Sequence, residues 1–189
     1  MLSFHDNRTN LLEQALHLFV ARGYDAVGVQ EIVDAAGVTK PTLYHYFGSK
    51  RGLLDALLQA RMVAFVREIS RAADWHGDLT MSLRALAQVY FDFSRQQPQL
   101  YQFVLSTQVA PRASEPYQAV APYTEKIIDR VMFLFEQALP HMQGRQRSYA
   151  LTFIGMLNTY ITLALNGYLE LTDTLLYAAV HQYMHGIFS

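Results

Sequence analysis

Between Gly37 and Gly48 the chain has room for ten residues, Val38-Thr39-Lys40-Pro41-Thr42-Leu43-Tyr44-His45-Tyr46-Phe47, and almost every one restricts what the segment can become. A glycine at each end can take φ > 0, so each is a stop for a helix. Thr39 stands where an N-cap is expected. Lys40 and Pro41 then open a helix, because the N–H that proline lacks is one that a helix start leaves unpaired anyway. The spacing predicts a very short helix ending near Phe47. Val38, Leu43 and Phe47 are its apolar side; Thr39, Lys40, Thr42, Tyr44, His45 and Tyr46 are left on the opposite surface. Gly48-Ser49-Lys50 then leads into a much longer helix.

Helical periodicity governs the remaining sequence, and the alternation expected of strands is missing. A first helix is expected over about 7–22, with Leu11, Leu12, Ala15, Leu18 and Phe19 on one face and Gly23 as its stop. A second begins near Gly28 or Val29, carries Ile32 and Val33, and ends at Gly37. Gly28 and Glu31 have capping-box spacing, although glycine brings no side-chain oxygen. A long helix follows over about 50–73, its stripe made of Leu54, Leu57, Leu58, Phe65, Val66 and Ile69. Five more are expected at about 79–97, 98–107, 115–139, 146–168 and 172–187, with Pro122 either kinking the third of these or displacing its start. The expected fold class is all-α: an N-terminal three-helix domain over 1–50, then a larger helical domain over 51–189.

Composition excludes more than it selects. With no cysteine among 189 residues there is no disulfide framework and no cysteine-ligated metal, which permits a reducing cytoplasm. Met1 to Asp6 lack the basic and apolar regions of a signal peptide, so the expected location is cytoplasmic. Net charge is −1, and residues 1–50 set Arg8, Arg22, Lys40 and Lys50 against Asp6, Glu13, Asp25, Glu31 and Asp34. Any polyanion partner must therefore be recognised by where charges sit rather than by a basic total.

Placement is what the short helix offers. A helix-turn-helix needs two short helices crossing closely at a sharp turn, the second narrow enough to enter a major groove. Ala35-Ala36-Gly37-Val38 supplies the small residues and the turn. The hydroxyls, lysine and rings beyond it hydrogen-bond phosphates or base edges, and threonine or tyrosine can touch a thymine methyl. The 22 residues Val29 to Lys50 resemble the signature of the TetR family of transcriptional regulators almost throughout, and Ala15, Leu18-Phe19 and Arg22-Gly23-Tyr24 resemble the end of that family's first helix. The strong part of the resemblance covers about residues 7–60.

The resemblance implies DNA contacts from Thr39, Lys40, Thr42, Tyr44, His45 and Lys50, with Tyr44 and Lys50 on phosphates; Gln30, Pro41 and Tyr46 complete the candidate set. Two positions depart from the family pattern. Gln30 stands where a basic residue is frequent and Gly28 where a hydroxyl cap is frequent, which implies a weaker phosphate contact at the second helix. The resemblance further implies a homodimer on a palindromic operator in double-stranded DNA, joined through the helices at about 146–168 and 172–187. It also implies a small-molecule effector that releases the DNA, hence a repressor. Leu176, Val180, Tyr183 and Ile187 are read as the dimer seam. The aromatic and methionine content beyond residue 75 favours an apolar or aromatic effector, with Tyr90, Phe103, Tyr123, Met132, Met156 and Asn158 as candidate contacts.

Other readings compete for parts of the chain. Ser148 to Leu169 carries no charge and is long enough for a membrane span. Thr152, Gly155, Thr159, Thr162 and Asn166, however, form one polar and small stripe on it, as in a helix buried within a bundle, so no membrane contact is expected. His181 and His185 are spaced i, i+4, but without a third ligand nearby in sequence no metal is expected. No nucleophile motif, phosphate loop or acid–base pair stands out, so neither an enzyme nor a cofactor is expected. A helical enzyme and a membrane-associated interaction protein are the alternatives.

Overall fold

The computed structural model describes residues 4–186, with side chains from Asn7 onward. Among them are α1 (Phe4–Arg22), α2 (Val29–Ala36), α3 (Lys40–Phe47), α4 (Lys50–Ala72), α5 (Leu79–Gln96), α6 (Pro98–Thr107), α7 (Glu115–Ala138), α8 (Gln146–Leu165) and α9 (Asp173–His185), and no strand. Met1 to Ser3, where the signal-peptide reading begins, and the seam residue Ile187 lie outside what is described. The chain divides into two compact units, one of residues 1–63 and 99–121, the other of residues 64–98 and 122–189, so α4 and α7 each contribute to both.

In the first unit α1 buries Leu11, Leu12, Ala15, Leu16 and Phe19. Leu16 takes the place expected of Leu18, which is only partly covered: at 100° per residue positions 11, 12, 15, 16 and 19 form one continuous stripe, and 18 falls beside it. Ile32, Val33 and Ala36 of α2, Leu43 of α3, Leu53, Leu54, Leu57 and Leu58 of α4, and Leu100, Tyr101 and Phe103 of α6 complete this core. Phe19 packs its ring 4.9 Å from Tyr24 and 6.1 Å from Phe103.

In the second unit Phe65 stacks on Phe93 at 4.0 Å and meets Tyr90 edge-on at 5.3 Å. Phe135 and Phe153 both pack against Tyr183, whose hydroxyl donates to the Tyr149 carbonyl at 2.7 Å. Pro122 does not displace the start of α7 but lies inside it, at the position where the chain passes from one compact unit to the other. α8 stops at Leu165, earlier than its apolar sequence suggests, because Gly167 turns the chain with φ +77°.

α8 is also where the sequence reading needs correction. It is long and apolar enough to cross a membrane by composition, yet only 22% of its most apolar window is buried. Ala150, Phe153, Leu157 and Ile161 face the core. Thr152, Gly155, Thr159, Thr162 and Asn166 face solvent together with Leu151 and Leu163, so within this chain α8 is a surface helix and not one enclosed on several sides. Leu176 and Val180 of α9 are buried in their own core, and Tyr183 is tied to Tyr149. They are intrachain packing, not an outward seam.

Candidate nucleic-acid interface

The site is built from its turns. α2 ends in a Schellman arrangement: Gly37 has φ +66° and ψ +32°, its N–H reaches Asp34 O, and the Val38 N–H reaches Val33 O at 3.0 Å. Asn10 of α1 donates to the Ala36 carbonyl at 2.8 Å, fixing the end of α2 against α1. Two residues later α3 begins. Thr39 occupies the N-cap position in extended conformation, but its hydroxyl meets the Thr42 hydroxyl at 3.0 Å and caps no backbone N–H.

Of the eight residues of α3, Leu43 is the buried one. Thr39, Lys40, Pro41, Tyr44 and His45 are exposed, while Thr42, Tyr46 and Phe47 are partly covered. Tyr44 keeps 48% of its surface in solvent, much for so large an aromatic side chain with a core beside it. The Arg8 guanidinium lies 5.4 Å from the Phe47 ring centroid, so the base of the N-terminal segment supports the end of α3. Gln30 is exposed on α2 and donates to Asp34 at 2.7 Å. The start of α2 keeps half of a capping box. Glu31 accepts the Gly28 N–H at 2.9 Å and pairs with Arg22. These contacts, the backbone bond first and Arg22 second, hold the Glu31 carboxyl below the usual carboxylate range.

Lys50 has a place that the sequence did not reveal. Its ammonium donates to the carbonyls of Tyr24 and Val27, both at 3.0 Å, and sits 4.1 Å from the Tyr24 ring centroid. Two of its three donors are thus committed to the α1–α2 turn. Sequence reasoning also missed Gly52 in the first turn of α4: a Cβ there would stand 2.0 Å from the Phe47 carbonyl oxygen, so only glycine allows α4 to leave α3 this closely. Its signal was a glycine inside a helix start, where it costs about 1 kcal/mol against alanine unless packing requires it.

The effector candidates fall in both compact units. Phe103 is a core side chain of the first unit, against Phe19, whereas Tyr90, Tyr123, Met132, Met156 and Asn158 belong to the second. Tyr90 is buried beside Phe65, and burial pushes its phenol upward. An open cleft of about 400 Å³ in the second unit is lined by Ser94, Arg95, Pro98, Ala164, Leu165 and the Leu169-Glu170-Leu171 strand of loop, and by none of the six candidates. Arg95 is occupied there, donating to Leu171 O at 2.7 Å and pairing with Asp92 at 2.6 Å. His181 stacks on Tyr177 and lies 4.7 Å from His185, and no group of three or more possible metal ligands occurs among the described residues.

A short helix with one buried residue, set behind a left-handed glycine turn and packed on an equally short α2, has the form of the second helix of a helix-turn-helix. Residues 11–57 match the family described as bacterial regulatory proteins, tetR family, and the chain belongs to that family. The transcriptional activator FasR of Mycolicibacterium smegmatis is 36% identical over 134 residues, 70% of this chain and 60% of that protein, so the chain spans under two thirds of its relative. Among solved structures, the regulator FadR from Bacillus subtilis in complex with stearoyl-CoA superposes with a TM-score of 0.76 at 17% identity, covering 95% of this chain and 98% of that one. AibR in complex with isovaleryl coenzyme A and operator DNA gives 0.71 at 24%, covering 93% and 96%. At those identities the structures share the fold. The relatives are regulators rather than enzymes.

Proposed function

We propose that the chain is a ligand-responsive transcriptional regulator of the cytoplasm. Residues 1–50 read DNA, and residues 51–189 carry the effector site and the dimer contacts. The observation that carries this reading is α3 itself: Lys40, Thr42, Tyr44 and His45 are presented on a helix that gives only Leu43 to the core. Thr39, Lys40, Pro41, Thr42, Tyr44, His45 and Tyr46 form the contact surface, with Gln30 at its edge. Lys50 has one N–H left for a phosphate after serving the α1–α2 turn.

Two copies pair through the exposed faces of α8 and α9, placing their recognition helices about 34–36 Å apart on a palindromic operator. Support comes from the chemistry of the α8 face. Thr159, Thr162 and Asn166 donate to Gly155 O, Asn158 O and Thr162 O of their own helix, so covering the stripe strands few donors.

The effector is a small molecule whose apolar or aromatic part is received by the second unit, with Tyr90, Tyr123, Met132, Met156 and Asn158 as candidate contacts. Acyl-coenzyme A thioesters are the first compounds to assay, since two proteins of this fold were solved with them. An occupied operator over a promoter blocks transcription, so repression lifted by effector is the expected sign. FasR is an activator, and a reporter assay with the operator moved relative to the promoter decides the direction.

The test is selection of bound duplexes from a random pool. Enrichment of a two-fold symmetric sequence, with affinity falling steeply as salt rises, supports the reading. No enrichment overturns it.

A further inference from the structure

The turn between α1 and α2 is held from two directions within the first unit. From α4, Lys50 grips the Tyr24 and Val27 carbonyls. From α7, Glu115 accepts the Tyr24 hydroxyl at 2.5 Å, across 91 residues of sequence. Glu115 is the first residue of α7, where the aligned peptide dipoles favour a carboxylate. Tyr24 is 4% exposed and packs on Phe19, so its ring is fixed and its hydroxyl is aimed. Burial, reinforced by Glu115, pushes the phenol above its ordinary value, so it stays a proton donor at every working pH.

What Tyr24 holds is the residue run that ends at Gly28, the N-cap of α2. In a helix-turn-helix the first helix crosses the phosphate backbone and the second lies in the groove. A shift of α2 along its axis therefore lengthens a phosphate contact at its N-terminus and carries α3 with it through the Gly37 turn. Hydrogen bonds lose strength steeply with such displacement.

We propose that Tyr24 and Glu115 are a positioning pair for DNA binding: the bond registers the α1–α2 turn, and thereby α2 and α3, to the first turn of α7. The pair joins the α1–α2 turn to the first turn of a helix of 24 residues, within one compact unit. The inference rests on the DNA-binding reading above. Neither residue touches DNA in it.

The experiment uses the full-length protein and the duplex enriched by the wild type. Tyr24→Phe keeps the ring packing and removes the donor; Glu115→Ala removes the acceptor; Glu115→Gln keeps a neutral carbonyl acceptor. Tyr24→Phe and Glu115→Ala should each weaken binding at least about fivefold, and Glu115→Gln less. The double variant should be no worse than the weaker single one, as residues acting as a unit behave. The slope of log affinity against log salt should flatten by about one contact, a readout that loss of stability alone does not move. Thermal unfolding on the same samples confirms folding, and if Glu115→Ala fails to fold, Glu115→Gln carries the comparison. Unchanged affinity and slope with a lowered melting temperature would overturn the proposal, as would additive losses in the double variant. If the wild type enriches no duplex, the DNA-binding reading falls first and this inference with it.

Discussion

Lys50 donates to the backbone carbonyl of Tyr24 while its ammonium rests 4.1 Å from that residue's ring centroid. One lysine thus satisfies a turn that no secondary-structure ladder reaches. Lys50→Ala takes the ammonium donor from the Val27 carbonyl and leaves the Tyr24 carbonyl with the Val27 N–H at 3.3 Å, and the expected loss is about 1–3 kcal/mol of folding stability. Tyr44→Ala, at an exposed position, should stay within about 0.5 kcal/mol of wild type. Both should weaken operator binding, so urea melts beside gel shifts separate the two residues: equal stability loss in both variants would contradict the geometry.

Gly52→Ala puts a methyl group 2.0 Å from the Phe47 carbonyl oxygen, a backbone atom that cannot step aside alone. Either α4 or the end of α3 must shift. We expect about 1–3 kcal/mol of destabilisation, typical of overpacking, and a drop in DNA affinity larger than that of substituting an exposed helix residue. A stable variant with wild-type affinity would show that the α3–α4 junction tolerates displacement.

Leu176 and Thr159 sit on opposite sides of their helices with respect to the core. Leu176→Ala should cost about 2–5 kcal/mol as a buried truncation. Thr159→Arg and Leu151→Glu, on the exposed face of α8, should leave the melting of the protomer nearly intact and convert dimer to monomer in sedimentation runs. A dimer that survives both surface charges would place the two-fold contact on another face.

Glu31 gives the pH dependence its sign. Its carboxyl is held below the usual range chiefly by the Gly28 N–H and then by Arg22. The folded-state value lies below the unfolded one, so the contribution is complete above about pH 5 and is lost as pH falls through the lowered value. Wild type and Glu31→Gln should therefore differ in melting temperature at pH 7 and converge as pH falls through the lowered value. Added salt should shrink the Arg22 part, since both partners are exposed, and spare the backbone bond. Parallel curves across that range would remove Glu31 from the account.

Much of the fold was legible because its stops are local. Gly23, Gly37, Gly48 and Pro98 each end or begin a helix through their own backbone chemistry, and a linear reading sees them. Thr39 and Pro41 placed α3 for the same reason. The tertiary roles were not legible. Lys50 and Tyr24 stand 26 residues apart, and Tyr24 and Glu115 stand 91 apart, with nothing in either neighbourhood to announce the partner. Composition likewise did not show that the Phe103 ring packs beside Phe19, 84 positions away in the sequence. The misread seam on α9 has the same origin. Leu176, Val180 and Tyr183 are an apolar stripe, and a stripe does not say which neighbour it faces.

Leu43 is the one fully buried residue of α3, and that economy separates two kinds of inheritance. Changes at the exposed Lys40 or Tyr44 alter the outer surface of the helix without opening a cavity in the core. Descendants of this chain can therefore vary that outer surface in single steps, while the same freedom is denied one residue at a time to Gly37, Leu43 and Gly52.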